Sequence, residues 1–237
     1  MAQSRSLICK GCWQNMRVPI ALRGPLSVPF RLAGLRPSRM NPNTCTLCEL
    51  MFRRVMKATK ITIDATILFA DLRSYTELSQ SLSASSMSGM LDVFYDECAG
   101  AIWDHDGLLN KTIGDAVMAI FNFPIRQPDH ARQALLAARE IQRRIAARKA
   151  EAGLDFGVGI GLHCGELSFG EFGHSHRDLT AIGTVVNTAS RVQGVAEAGE
   201  ILVTEEVRER AGELAQESVG RAYALKGFEG PVMLYRA

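Results

Sequence analysis

The chain predicts an α+β fold: a ferredoxin-like βαββαβ domain with extra strands, preceded by a small cysteine-rich head. Three observations lead there. Apolar runs of strand length alternate with two long helical stretches in the order strand, helix, hairpin, helix, strand. Charge and proline divide the chain: residues 1–60 carry 11 Lys and Arg against one acid, Glu49, and five of the eight prolines, while the remainder has 16 basic and 24 acidic residues. Finally, Cys9 and Cys12 form one CxxC and Cys45 and Cys48 another, 32 residues apart, all in the first part. The expected units are a head at 1–50, a helical connector at 51–60 and a main domain at 61–237.

In the head, the prolines argue against long helices. Its basic residues are scattered, with no helical stripe and no aromatic ladder, so a nucleic-acid partner is not expected and a solvated or intramolecular surface is favoured. Two CxxC knuckles can supply a tetrahedral thiolate cage. Zinc suits four sulfurs and would staple a segment too small for a large core; an iron–sulfur cluster uses the same ligands, and redox-active or unpaired thiols are the remaining alternatives. Cys98 and Cys164 lie in apolar stretches and are expected to be small buried residues. From 49 to 58, Leu50, Met51 and Val55 recur at helical spacing among Arg53, Arg54 and Lys57, which gives the connector.

The main domain opens with a strand at 62–70. Met87, Phe94, Cys98 and Ile102 then mark one helix face within 83–105, ended by Gly107. Residues 108–121 form a hairpin turning at Gly114 and Asp115. A helix opens at Pro128 and Asp129 and runs to about Ala152. Strands at 156–163, 166–172 and 179–182 follow, then a helix at 184–196 and strands at 200–204, 222–225 and 232–235. At 237 residues with 47% hydrophobic composition a buried core is assured and disorder throughout is excluded. No apolar stretch approaches the ~20 residues of a transmembrane helix and the first residues lack a secretory h-region, so the expected location is cytoplasmic.

Asp71 and Asp115 each end an apolar strand-like run, where a carboxylate is costly without a cation; two of them suggest a two-metal site for phosphoryl chemistry. Taken singly, Asp71 reads as a helix N-cap and Asp115 as a turn residue. Asn187 and Arg191, four apart, project from one helix face, which composition alone reads as an ordinary exposed face. The motifs FADLRSYT (69–76), LNKTIGDAVMAIF (109–121) and AIGTVVNTASR (181–191), with Lys226 in ALKGFEG, together resemble the catalytic domain of the class III adenylate and guanylate cyclases over nearly all of 61–237.

That resemblance implies an enzyme that closes the ribose 3′ oxygen of ATP onto the α-phosphorus and releases pyrophosphate, with two Mg or Mn ions, at sites shared across a homodimer. Asp71, Asp115 and the Leu72 carbonyl would hold metal. Leu72 to Thr76, read as a turn into a helix, would offer backbone N–H groups to phosphate. Arg191 would stabilise charge growing in the transition state, Asn187 orient the ribose and Lys226 reach terminal phosphates. Lys111 only donates, so it suits the acceptor N1 of adenine, and Thr180 can accept from the N6 amine. Many family members carry Asp at the position of Thr180; Lys with Thr resembles a bacterial subgroup. Alternatives are an ion pair of Lys111 with Asp115, a structural Thr180 and a surface Lys226. At the level of the whole chain they are a guanylate cyclase, or a non-catalytic metal- or redox-sensing protein using the fold for pairing.

Overall fold

The structure, a computed structural model, describes residues 5–73, 75, 83–152, 156–173, 178–216 and 218–237. The head contributes α1 (Lys10–Met16), α2 (Val28–Leu32) and the start of α3 (Thr46–Ala58). β1 (Ile61–Arg73), α4 (Ala84–Asp104), β2 (Leu108–Ile113), β3 (Ala116–Phe121), α5 (His130–Ala152) and β4 (Gly157–Phe172) make the βαββαβ unit. After it come β5 (Asp178–Ile182), α6 (Thr184–Val195), β6 (Ile201–Thr204), α7 (Glu205–Ala211), β7 (Val219–Ala224) and β8 (Pro231–Arg236). The strands run in the order β2-β3-β1-β4-β6-β8-β7, with β5 paired to the far half of β4.

Strand β1 lies inside the sheet, paired on both sides. Its register against β4 is unbroken from Ile61↔Phe169 to Arg73↔Gly157, and on its other side it pairs with β3 from Thr66↔Phe121 to Asp71↔Ala116. Side chains alternate, so Leu68, Ala70 and Leu72 face one layer and Ile67 and Phe69 the other. The first layer is built by α4, α5 and α7, through Phe94, Ile102, Leu135, Ile141 and Val207. The second is covered by Met56 of α3, Val185 and Ala189 of α6, and the β4–β5 hairpin, which brings Leu167, Phe169 and Ala181 over the sheet.

Several expectations change in detail. Strand β1 continues three residues beyond Ala70, because Leu72 still has an apolar layer to enter. β4 is one strand rather than two: Gly165 stays in the β1 register opposite Ala65, so the glycine that looked like a break is accommodated within the ladder. Helix α3 begins at Thr46 with Cys45 at its N-cap, so it includes Cys48. The left-handed residue after α4 is Asp106 (φ 58), not Gly107, where a Cβ would lie 2.6 Å from the Phe121 ring, so glycine is needed for the ring's close approach.

The segment before α3 is docked onto this corner by polar contacts. Asn43 Nδ2 donates to the Trp103 carbonyl (3.0 Å) and to Asp106 Oδ1 (2.7 Å), and Asn41 Nδ2 donates to the Gly107 carbonyl (2.8 Å). Lys10 pairs with the other oxygen of Asp106, and Trp103 Nε1 donates to the Met40 carbonyl (3.0 Å).

On the opposite side of the sheet, glycine sets the spacing. Gly157, Gly159 and Gly161 alternate along one face of β4, and a Cβ on Gly161 would lie 2.1 Å from the backbone nitrogen of Gln193. Helix α6 therefore packs with its backbone against the strand. Because backbone cannot step aside as a side chain can, Gly161→Ala is expected to lower stability by about 1–3 kcal/mol, read as a lower urea midpoint; an unchanged midpoint would contradict this packing.

Candidate active site and cysteine cluster

Asp71 and Asp115 come together at one end of the β1–β3 strand pair. The β1–β3 register sets Asp71 opposite Ala116, the residue after Asp115, and the Leu72 amide donates to the Asp115 carbonyl (3.1 Å). Gly114, at φ 59, supplies the left-handed turn that places Asp115 at the hairpin tip, and Tyr95 on α4 donates its hydroxyl to the Gly114 carbonyl, bracing that tip. Asp71 is half-buried, and burial followed by the nearby charge of Asp115 pushes its carboxyl above the usual carboxylate range. Two half-buried carboxylates that repel one another, with the Leu72 backbone between them, form a donor set suited to a hard divalent cation.

Asp71 also has two protein partners that its motif did not announce. Its Oδ2 accepts from Arg73 Nη1 (3.2 Å) and from Gln193 Nε2 (3.0 Å), and Arg73 Nη2 donates to the Gln193 carbonyl. Arg73 belongs to β1, so the turn-to-helix reading that began at Leu72 is corrected: both residues are still in the ladder. The alternation of strand side chains, which puts residues two apart on one face, was the available signal. Ser74 and Thr76 lie outside the described residues.

Lys111 and Thr180 meet through neighbouring elements. Lys111 on β2 pairs with Asp178 on β5, rather than with Asp115. Asn110 Nδ2 donates to the Leu179 carbonyl (3.1 Å), which turns its Oδ1 toward the Thr180 hydroxyl (3.4 Å). Asp178 and Asn110 were not expected. Both adjoin the predicted residues along their own strands, so DLT and NK carried the information.

Asn187 is exposed near the start of α6. Arg191 stacks over Phe228, its guanidinium carbon 5.4 Å from the ring centroid and packed against Gly227, so it adjoins the turn that carries exposed Lys226. Among the described residues, no hydrogen bond or ion pair joins Asp71 or Asp115 to Lys111, Thr180, Asn187, Arg191 or Lys226. The predicted set is thus present as separate groups within one chain.

In the head, Cys9, Cys12, Cys45 and Cys48 converge in a buried cluster, their sulfurs all within 4.8 Å of one another. Separations of 3.2 Å (Cys12 to Cys48), 3.4 Å (Cys12 to Cys45) and 3.6 Å (Cys9 to Cys48) exceed a disulfide bond. They approach the ~3.8 Å edge of a tetrahedron whose centre is ~2.3 Å from each sulfur. The amides of Cys12 (3.3 Å) and Cys45 (3.2 Å) donate to Cys9 Sγ. Burial chiefly pushes the Cys12 thiol up, whereas hydrogen bonding from Cys48 holds Cys45 well below the usual thiol range. Four sulfurs in one apolar pocket cannot all be thiolates without a cation among them. Cys98 and Cys164 are buried elsewhere, as single free thiols.

Residues 58–235 match the family model described as the adenylate and guanylate cyclase catalytic domain. The chain belongs to that family. Its cyclase domain is similar to adenylate cyclase 1 of Rhizobium meliloti (30% identity over 137 residues, 56% of this chain and 21% of that protein). It is also similar to an adenylate cyclase of Anabaena cylindrica (34% over 153 residues, 60% of this chain and 30% of that protein). The chain thus spans about a fifth to a third of the length of such relatives. Among solved structures, the adenylyl cyclase CyaB of P. aeruginosa superposes with a TM-score of 0.68 at 28% identity, covering 75% of this chain and 95% of that one. The guanylyl cyclase Cya2 gives 0.69 at 26%, covering 74% and 92%. As a class III cyclase domain, the α+β fold agrees with the expectation from sequence; among the described residues no helix is long and apolar enough to cross a membrane.

The raised carboxyl of Asp71 has a sign that can be tested. Its proton is held more tightly in the folded than in the unfolded chain, so its contribution is most favourable below the ordinary carboxylate pKa of ~3.9 and worsens as pH rises through the folded value. In metal-free protein, Asp71→Asn is therefore expected to raise the thermal midpoint at pH 7, with the gain vanishing in acid. A lower midpoint at pH 7 would show that the bonds to Arg73 and Gln193 outweigh the cost of burial.

Proposed function

We propose that the chain is an adenylate cyclase, converting ATP to 3′,5′-cyclic AMP and pyrophosphate at a site completed by a second copy of itself. The observation that carries this reading is the half-buried carboxylate pair, Asp71 beside Asp115, in a domain of the cyclase family. Bound Mg or Mn would supply acidity to the ribose 3′ hydroxyl and neutralise the triphosphate. Asp71, Asp115 and the Leu72 carbonyl are the groups that would hold those ions.

The remaining roles belong to the chain's own side chains. Arg191, with its guanidinium flat on Phe228, would present donors to the phosphate oxygens that gain charge, and Asn187 would orient the ribose. Lys226 and, in the undescribed stretch, Thr76 would bind the phosphates. Lys111, steadied by Asp178, would donate to adenine N1. A Thr180 hydroxyl that donates to Asn110 keeps its lone pairs for the adenine N6 amine, a polarity that guanine, with N1–H and O6, does not match. That these groups keep partners separate from those of Asp71 supports a composite site in which one copy contributes the carboxylates and the other the base and phosphate contacts.

The division of labour along the chain follows: a head at 1–50, a connector at 51–60 and the catalytic unit at 61–237. In the head, Cys9, Cys12, Cys45 and Cys48 would hold a structural zinc ion, whose preference for four sulfurs suits their spacing. Purified protein is expected to contain about one zinc per chain by elemental analysis, and chelation or Cys45→Ser to lower the thermal midpoint. Iron with visible absorption would point to a cluster instead, and four freely titratable thiols in untreated protein would remove the metal altogether.

Incubation with ATP or GTP and Mn²⁺, followed by separation of products, tests the activity. Cyclic AMP should predominate; cyclic GMP as the main product would overturn the base assignment. Lys111→Ala and Asp71→Ala should each be inactive alone and regain part of the activity when mixed, since one composite site per heterodimer stays intact. Absence of rescue in verified heterodimers would exclude the shared geometry.

A further inference from the structure

Arg73 occupies an unusual place. It follows Asp71 by two residues on the same face of β1, and its guanidinium fills the space left by the missing side chain of Gly159, where a Cβ would lie 2.5 Å from Nε and 2.7 Å from Nη2. Nη1 donates to Asp71 Oδ2 and Nη2 to the Gln193 carbonyl, while Nε is buried without a hydrogen-bond partner. Gln193, itself buried, makes the second bond to the same carboxylate oxygen. An arrangement evolved only to tether β1 to α6 would have no need to place a cation on the carboxylate that the metal reading requires, nor to leave a guanidinium nitrogen orphaned beside it.

We propose that Arg73, with Gln193, is a built-in competitor for Asp71: a positioning residue that occupies the carboxylate when no divalent ion is bound and so sets how tightly the active site takes metal. The inference rests on the reading of Asp71 and Asp115 as metal ligands. The physical basis is simple. A divalent ion at Asp71 must displace or lie beside a fixed positive charge, and both alternatives weaken its binding. Nucleotide, which brings several negative charges, would favour ion entry, so metal would be captured mainly together with substrate.

The test measures metal without relying on turnover. Free Mn²⁺ is followed by electron paramagnetic resonance during titration of the full chain, with Mn²⁺ alone and with 3′-deoxy-ATP, which cannot cyclise. Arg73→Gln is expected to bind Mn²⁺ about tenfold tighter, the effect being larger with Mn²⁺ alone, as removal of a neighbouring like charge predicts. Arg73→Lys, which keeps the charge, should stay near wild type. Gln193→Met, which leaves Arg73 in place, should tighten binding by a smaller factor and serves if Arg73→Gln fails to fold. Unchanged or weaker Mn²⁺ affinity in whichever of Arg73→Gln and Gln193→Met folds would overturn the proposal and leave Arg73 a tether. Loss of Mn²⁺ binding in Asp71→Asn, with wild type binding normally, supports the underlying metal reading; a wild type that takes up no Mn²⁺ beyond what the nucleotide itself binds, with 3′-deoxy-ATP as well as without it, sinks that reading and this proposal with it.

Discussion

Backbone-to-backbone packing of helix α6 on strand β4 is the constraint on which the rest of the site depends. It is possible only because Gly157, Gly159 and Gly161 leave one face of the strand without side chains, so Ala198, the Ala196 carbonyl and the Gln193 backbone can approach it directly. The first consequence is positional. The Gln193 backbone is pressed against Gly161 of β4, its side chain reaches Asp71 on the neighbouring β1, and Arg73 is folded into the gap at Gly159. The second concerns reach: the same helix carries Asn187 and Arg191 outward on its other turns, so its seating on the sheet fixes where those groups project.

Electrostatics then sorts the polar residues. Asp71 bears competing influences, with burial and Asp115 opposing its charge and Gln193 and Arg73 favouring it. Lys111 and Asp178 neutralise each other at a more open place, and Arg191 rests on an aromatic face rather than on a carboxylate. A guanidinium stacked on a ring keeps its N–H fork available for other acceptors.

The order of elements was legible from periodicity because the layers are simple: α4 buries one apolar stripe, β1 is a continuous apolar run buried on both faces, and Ser83 and Gly114 are recognisable punctuation. The pairing of Asp71 with the hairpin tip at Asp115 was also foreshadowed, since each carboxylate sits at the end of an apolar run. What escaped was contact between segments distant in sequence. Asp178 and Asn110 sit beside residues that were recognised, yet only the folding of the β4–β5 hairpin over the sheet brings β5 to β2. Gln193 has no distinguishing neighbour in sequence; its importance comes from the strand it packs on. The break assumed near Gly165 failed because a glycine in a ladder flanked on both sides by pairing residues need not end it. Helix α7 was missed because its seven residues, EEVRERA, are mostly charged and bury only Val207 and Ala211.

The polar corner between the cysteine segment and α4 carries a consequence for how the molecule is assembled. The carbonyls of Trp103 and Gly107, at and just past the end of α4, accept hydrogen bonds from Asn43 and Asn41, about sixty positions upstream, and the carboxylate of Asp106 is answered by Lys10 and Asn43. A helix is here finished by a clasp from another part of the polypeptide. A chain trimmed to begin at Lys60 would therefore lose more than an accessory: it would strip the stopper from the end of α4, uncovering a buried negative charge just before the strand that carries Lys111.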